Sequence, residues 1–188
     1  MFRAALMALG LLTSCGNEAD VEESEFAEVQ EALQSNFSVS IRVETLEANI
    51  IKPRLAITNL GTQALSNFAL HFYFTVESGK TPVLENYYTP LSSEVLVSLN
   101  SVSAGLYRLE YRYTGQTLAP GDTLPEPAGS VVGLHYADWS TWDRVNDYSM
   151  LGVGLGFTET DRVVVVDGAG NIVYGTPPPG APSRSRSC

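Results

Sequence analysis

Cysteine is scarce in this chain of 188 residues, which has only Cys15 near its start and Cys188 at its end. At most one disulfide can therefore form, which excludes the multiply cross-linked scaffolds found among small secreted proteins. Stability must come from an apolar core or from a bound metal. At 44% hydrophobic residues, a chain of this length can form one sizeable core.

Basic residues are also few. The chain has 11 Lys and Arg against 21 Asp and Glu, which gives a formal net charge of −10. Such a charge is repelled by phosphate backbones and by anionic lipid headgroups. We therefore expect neither nucleic acid nor an anionic membrane surface as a direct partner.

The apolar run at the N-terminus, Ala4–Leu12, is too short to cross a bilayer. It follows the single positive charge of Arg3, which is typical of a secretory signal, and we predict a signal peptide over residues 1–14. The tetrapeptide Leu12-Thr13-Ser14-Cys15 resembles the lipobox, the cleavage and lipidation signal of bacterial lipoproteins. That resemblance implies lipidation of Cys15, which would leave no internal disulfide. An ordinary secretory signal with a chance cysteine is the alternative.

A lipidated Cys15 implies a protein of the bacterial cell envelope, anchored by lipid at the outer surface or outer membrane, since two or more acyl chains give stable anchoring. The stretch that follows contains seven acidic residues and no basic one. Because like charges extend a chain, residues 15–36 are predicted to be a lipid-anchored acidic linker, disordered or partly helical. A helix packed on the domain is the alternative. Residues 179–188 are predicted to be a flexible tail.

Helical periodicity is missing between Ser38 and Gly175, where the pattern has period two. In FALHFYFTV, residues 68–76, every second side chain is apolar from Phe68 to Val76, and LYRLEYRYT, residues 106–114, alternates in the same way. Further strand candidates are SVSIRVE, RLAITN, EVLVSL, SVVGLHY and RVVVVD, and DGAGN at 167–171 reads as a hairpin turn. Many short strands of this kind predict an all-β antiparallel sandwich of two packed sheets.

Catalytic motifs are absent as well: the sequence has no G-x-S-x-G, H-E-x-x-H or C-x-x-C and no phosphate-binding glycine loop. His71 and His135 fall within predicted strands, where histidines are usually structural. Glycoside hydrolysis stays open at this point, because the two carboxylates that it requires can be distant in the sequence and meet only in the fold. We expect a protein that is not an enzyme.

The segment DWSTWDRVND, residues 138–147, concentrates tryptophan and acidic side chains. Asp143, Asn146 and Asp147 place hard oxygen donors within five residues, a set that suits Ca²⁺. The spacing is not that of an EF-hand, and turns capped by Asp and Asn side chains explain the same residues.

A longer set of motifs carries a family resemblance. DWSTWDRVNDYS is similar to the D-W-S-x-Y/W-x-x-x-N-D-Y-S signature of family 3 carbohydrate-binding modules, the cellulose-binding modules of scaffoldins and bacterial cellulases. IKPRLAITNLGTQALSNFALHFYFTVESG, GQTLAPGDT and DRVVVVDGAGNIVYGTPP resemble the family's early strands, its T-L-x-P-G turn and its closing strand pair, in order. The predicted domain is 37–178.

The resemblance implies a jelly-roll sandwich with a structural Ca²⁺. The positions that match the family's calcium ligands are Thr75, Glu77, Asp143, Asn146 and Asp147. Glu77 stands where the family usually has Asp, and Asp143 where it often has Thr. Both replacements keep an oxygen ligand, and Asp143 adds a negative charge.

The resemblance also implies a binding row in which Trp139 stacks on a sugar ring. Glu85 and Asn86 occupy the positions of an Asp-His pair, and Tyr87 or Tyr88 is the candidate for a missing stacking tyrosine. Gly133 stands in place of the family's arginine, so the row is depleted. Trp142 matches an aromatic that supports the loop, and Tyr148 matches a polar anchoring position on the opposite rim.

These expectations describe a non-catalytic module on a surface lipoprotein that binds cellulose or a related β-glucan, with separate glycoside hydrolases as candidate partners. The alternative is a structural or protein-interaction lipoprotein domain that kept the fold and calcium site but lost sugar binding.

Overall fold

The computed structural model describes residues 36–88, 95–124 and 131–181. The predicted signal peptide, Cys15, the acidic linker before Asn36 and the last seven residues of the tail lie outside these ranges. The described strands are, in chain order, β1 (Phe37–Val43), β2 (Ile50–Ile51), β3 (Pro53–Asn59), β4 (Leu65–Ser66), β5 (Ala69–Thr75), β6 (Pro82–Tyr88), β7 (Val95–Ser103), β8 (Leu106–Tyr113), β9 (Thr117–Leu118), β10 (Thr123–Leu124), β11 (Val131–Tyr136), β12 (Thr158–Glu159), β13 (Val163–Val166) and β14 (Ile172–Tyr174).

All the strand pairs within the described ranges are antiparallel. A five-stranded sheet has the order β14-β13-β5-β8-β7, a four-stranded sheet β10-β3-β1-β12, and a three-stranded sheet β2-β11-β6, beside the short pair β4-β9. The inward faces of the three larger sheets contribute to one apolar core. The predicted all-β sandwich is confirmed, although its strands form more than the two sheets expected.

The alternation read from the sequence sets the register of the central strands. In β5, Leu70, Phe72 and Phe74 enter the core, and in β8 Leu109 and Tyr111 do so opposite them. A slip by one residue would expose all of these side chains, so the pattern fixes the pairing.

The other face of β5 is buried too, which the alternation did not predict. Ala69 and Tyr73 pack with Val164 and Val166 of β13 in a second apolar cluster, because β5 lies between β13 and β8. His71 is buried on the same face, where its Nε2 lies 3.2 Å from Glu110 Oε2. Burial lowers the pKa of His71, and hydrogen bonding to His71 lowers the pKa of Glu110 to about 2.

Strand β6 was not among the predicted strands. Its sequence PVLENYY begins with a proline and has no alternation of apolar and polar residues. Proline is tolerated at the first residue of a strand, and β6 lies at the edge of the three-stranded sheet beside β11. This edge strand carries Glu85, Asn86 and Tyr87.

Helix is confined, within the described ranges, to a three-residue 3-10 turn at Tyr148–Met150. No helix in that part of the chain has the length and apolar character needed to cross a bilayer. The predicted turn at 167–171 is present: Asp167 N donates to Asn171 O at 2.9 Å between β13 and β14.

Candidate functional site

The loop that carries Trp139 begins where β11 ends. Trp139 N donates to Tyr136 O at 2.9 Å, which closes a turn. Asp138 Oδ1 then accepts hydrogen bonds from the backbone N and the hydroxyl of Ser140, at 3.1 and 2.7 Å. Asp138 Oδ2 lies 2.6 Å from Lys80 Nζ. The sharp turn is therefore tied down on both sides of Trp139.

Trp139 itself adopts a left-handed backbone conformation, with φ of 55°. A non-glycine residue loses about 1–2 kcal/mol in this region. Trp139 is 48% exposed, and its ring stacks on the ring of His135, with centroids 3.7 Å apart and planes 11° from parallel. The indole of Trp139 is thus held at the surface on the His135 ring, although its backbone conformation is unfavourable.

His135 connects Trp139 to strand β6. Its ring is buried, with Nδ1 2.7 Å from Tyr136 O and Nε2 3.3 Å from Glu85 Oε1. The Tyr87 hydroxyl donates to the other carboxylate oxygen, Glu85 Oε2. Trp139, His135, Glu85 and Tyr87 form a continuous line of contacts, called here the surface row.

The charges in the surface row follow from these contacts. The hydrogen bond from Tyr87 lowers the pKa of Glu85, and the same bond raises the pKa of Tyr87 to about 12. At neutral pH the row therefore presents a carboxylate and a neutral phenol beside the indole.

Gly133 accounts for the position of Tyr87. A Cβ on Gly133 would lie 3.0 Å from Tyr87 Cε2 and 3.0 Å from Ile50 Cδ1. The absence of a side chain lets the Tyr87 ring lie close over β11, with Lys52 Nζ 5.4 Å from the ring centroid. Tyr87, 50% exposed, occupies the space above the position where the family motif has arginine.

Two other predicted binding residues, Asn86 and Tyr148, are placed in different surroundings. Asn86 is exposed and pairs in the ladder with Val132, whose side chain enters the core. Tyr148 packs against the apolar cluster on the outer face of β5 and β13, and its hydroxyl donates to Thr176 O at 2.9 Å. The structure therefore joins Trp139 with Glu85 and Tyr87 but not with Tyr148.

Three of the predicted calcium ligands, Thr75, Asn146 and Asp147, meet where the 143–147 loop returns to the end of β5. Asp147 is fully buried; its Oδ1 accepts from Thr75 N at 2.8 Å and its Oδ2 from Trp142 Nε1 at 2.9 Å. The Thr75 hydroxyl donates to Asn146 O at 3.1 Å. Three of the five predicted ligand residues are thus in direct contact.

Carboxylates crowd this place, and the Arg144 guanidinium, which interacts electrostatically with Asp147, is directed to backbone carbonyls. Desolvation, together with the charges of Glu77 and Asp143, raises the pKa of Asp147 to about 7. Both carboxylate oxygens of Glu77 are buried and have no hydrogen-bond partner. Burying carboxylates close together without a partner destabilises the folded state, whereas a bound cation would compensate their charge.

No three acidic, histidine or cysteine side chains converge on one point in the described part of the chain. Glu77, Asp143 and Asp147 could therefore hold a cation only together with the oxygens of Thr75 and Asn146. An all-oxygen set of this kind fits Ca²⁺, which accepts hydroxyl, amide and backbone oxygens beside carboxylates.

Residues 38–175 match the family model of the cellulose binding domain, which covers all the strands described above except the first residue of β1, Phe37. The chain belongs to the family 3 carbohydrate-binding modules. The match includes both the surface row and the predicted calcium ligands.

Curated relatives of the module come from Paenibacillus lautus. It is 29% identical over 147 residues to an uncharacterized protein encoded in the celA 5' region, covering 69% of this chain and 92% of that protein. It is 27% identical over 147 residues to endoglucanase A, but that match spans 19% of the enzyme.

Two of the solved structures similar to the module come from Clostridium thermocellum. The CBM3b module of the cellulosomal cellobiohydrolase 9A is 28% identical with a TM-score of 0.60, covering 76% of this chain and 98% of that one. The CBM3a-L domain of the scaffoldin cipA, with its flanking linkers, is 26% identical with a TM-score of 0.62, covering 82% and 98%.

Trp142 packs in the core of the module, as predicted. It is 3% exposed, and its ring stacks on Tyr136 with centroids 4.3 Å apart and planes 4° from parallel. Its indole N–H donates to Asp147, so the second tryptophan of the loop supports the group of carboxylates formed by Glu77, Asp143 and Asp147, called here the acidic cluster.

His135 is the site residue that sequence reasoning missed. Its place in a strand predicts a structural histidine, and it is indeed buried, but its ring also stacks against the indole of Trp139. The contact depends on the left-handed conformation of Trp139 after the turn, which no local pattern indicates for a tryptophan.

Proposed function

We propose that this module binds the face of cellulose or a related β-glucan without catalysing a reaction. The observation that carries the proposal is the exposed indole of Trp139, held on His135 at the end of β11. A flat ring of this kind buries apolar area against the C–H face of a pyranose. Because the ring is held in place before binding, little conformational entropy is lost on contact.

Tyr87 and Glu85 extend the proposed contact along the sheet. Tyr87 offers a second half-exposed ring, and Glu85 offers acceptor oxygens to sugar hydroxyls. The names of the similar proteins support a cellulosic ligand, since they include a cellobiohydrolase, a cellulosome scaffoldin and an endoglucanase.

A structural Ca²⁺ is part of the proposal. Thr75, Glu77, Asp143, Asn146 and Asp147 would hold it. The ion would neutralise the three carboxylates and fix the 143–147 loop to the end of β5. The unpartnered Glu77 oxygens and the raised pKa of Asp147 support this assignment.

The cellular setting is proposed from the sequence. Lipidation at Cys15 would anchor the module at the bacterial cell envelope, on the outer surface or outer membrane, through the acidic linker 15–36. Glycoside hydrolases encoded separately would be its functional partners on the same polysaccharide.

The test is retention of the full chain on insoluble polysaccharides, with Cys15→Ser to keep it unacylated. Cellulose, chitin and xylan are compared, and wild type is set beside Trp139→Ala and Phe157→Ala. Phe157 is a matched control because it is an aromatic of similar exposure, 47%, outside the surface row.

We expect retention on cellulose, a loss of affinity of at least about fivefold in Trp139→Ala, and no change in Phe157→Ala. Wild-type retention no better than that of an unrelated acidic protein would favour the structural or protein-interaction alternative. That alternative has one observation behind it, the Gly133 that stands in place of the row's arginine.

A further inference from the structure

The side chain of His135, on β11, lies beneath the indole of Trp139, which is the proposed platform for the sugar. Its side chain is 4% exposed, one face of its ring is covered by the Trp139 indole, and it lies on β11 opposite Ile50 of β2 and Val83 of β6. Nothing in this arrangement makes His135 accessible to a sugar. Any effect on binding must pass through Trp139 or Glu85.

Both ring nitrogens of His135 face acceptors. Tyr136 O can only accept, so the 2.7 Å contact requires a proton on Nδ1. Neutral imidazole then presents the bare lone pair of Nε2 to Glu85 Oε1 at 3.3 Å. Only the doubly protonated ring can donate to Tyr136 O and also form an ion pair with Glu85.

We infer that His135 is a positioning residue for carbohydrate binding: its protonated ring ties Trp139 to Glu85 and Tyr87, so that protonation strengthens the platform. This inference rests on the proposed function, because the platform matters only if it meets a sugar. The imidazolium also stacks more favourably than neutral imidazole on the electron-rich face of the indole.

The charged groups around His135 act in opposite directions. Glu85 on β6 favours the protonated ring, while the Tyr87 hydroxyl competes for the same carboxylate from its other oxygen. Lys52, after β2, lies near Tyr87 and Glu85 and opposes a second positive charge. Lys80 and Asp138 form an ion pair with each other beside the turn and contribute no net charge.

Loss of the proton therefore has a defined consequence. Nε2 becomes an unpartnered acceptor facing a carboxylate, and Glu85 keeps only Tyr87 as donor. Trp139 loses the charge beneath it while its backbone remains in the left-handed region. We expect the indole to become more mobile and the contact with sugar to weaken.

The experiment measures adsorption of the full chain carrying Cys15→Ser on microcrystalline cellulose at roughly pH 5 and roughly pH 9, either side of the range in which histidines generally titrate. Wild type is compared with His135→Phe, which stacks but does not ionise, and with His135→Ala, which does neither. Glu85→Gln keeps the shape of the row and removes the carboxylate.

We expect wild type to bind about threefold to tenfold more tightly at the acidic pH, and His135→Phe and Glu85→Gln to show flat profiles. His135→Ala should bind weakly at both values. Parallel pH profiles in wild type and His135→Phe would overturn the inference.

A second readout needs no sugar. Protonated imidazole quenches a stacked indole, so Trp139 emission should fall in acid in wild type and stay constant in His135→Phe, with Trp139→Phe supplying the Trp142 background. If wild type fails to adsorb at either pH, the proposed function fails, and this titration alone decides whether His135 is coupled to Trp139. Identical titrations in wild type and His135→Phe would refute the coupling.

Discussion

Trp139 is the residue on which the functional account depends, and its backbone shows what the position demands. A tryptophan in the left-handed region is strained by about 1–2 kcal/mol, and glycine would adopt the same conformation without strain. The chain nevertheless places a large ring there, over a buried histidine. Strain kept at one exposed position is typical of a residue retained for binding rather than for stability.

This strain gives a prediction about two substitutions at one site. Trp139→Ala removes the stacking and keeps the strained backbone, whereas Trp139→Gly removes both. We expect Trp139→Gly to be more stable than Trp139→Ala by about 1 kcal/mol in urea unfolding, although both lose adsorption to cellulose.

The control is the same pair of substitutions at Phe157, whose backbone is not left-handed. There Phe157→Gly should be less stable than Phe157→Ala, the reverse order. If Trp139→Gly were also less stable than Trp139→Ala, Trp139 would not be strained in solution.

At the scale of elements, the strands with a clear alternation could be predicted, and the strand that builds the site could not. β5 and β8 follow their apolar pattern because one face of each strand enters the main core. β6 lacks such a pattern, because its position at a sheet edge leaves Glu85, Asn86 and Tyr87 facing solvent. β6 pairs with β11, which is distant from it in the sequence, and local strand propensity does not indicate such a pairing.

The candidate site was predictable to the same degree. Trp139, Glu85 and Tyr87 could be named from the family motif, as could the residues around Asp147. The contact between His135 and Trp139 could not, since it depends on a turn that brings residues four apart into a stack. The hydrogen bond from the Tyr148 hydroxyl to Thr176 O likewise depends on where the chain runs after β14 ends.

The acidic loop gives the prediction that belongs to this scale. If Ca²⁺ joins the 143–147 loop to β5, a chelator should lower the melting temperature, because the ion binds only the folded chain. At a calcium concentration a hundred times the Kd, the stabilisation is about 2.7 kcal/mol, or roughly 5–11 °C for a domain of this size. An unchanged melting temperature would remove the calcium assignment.

Glu77→Gln provides the matched variant. In calcium it should be less stable than wild type because a ligand charge is lost. In chelator it should be equal or more stable, because the repulsion that raises the pKa of Asp147 is reduced. A variant that is equally destabilised in both conditions would indicate a purely structural Glu77.

At the scale of the whole molecule, Tyr136 links the two candidate sites. Its carbonyl accepts from Trp139 N and His135 Nδ1, while its ring stacks on Trp142, whose indole holds Asp147. The surface row and the acidic cluster are therefore connected by packed and hydrogen-bonded groups. An ion at the cluster would support the platform through rigid contacts.

The central claim is that the sugar lies on Trp139, and solute quenching of tryptophan fluorescence measures this directly. Trp142 is buried and Trp139 is half exposed, so the emission quenched by acrylamide in the free module belongs to Trp139. On binding to cellulose nanocrystals, we predict that this quenchable emission becomes shielded. A module that adsorbs to cellulose while Trp139 stays as quenchable as before would contradict the account.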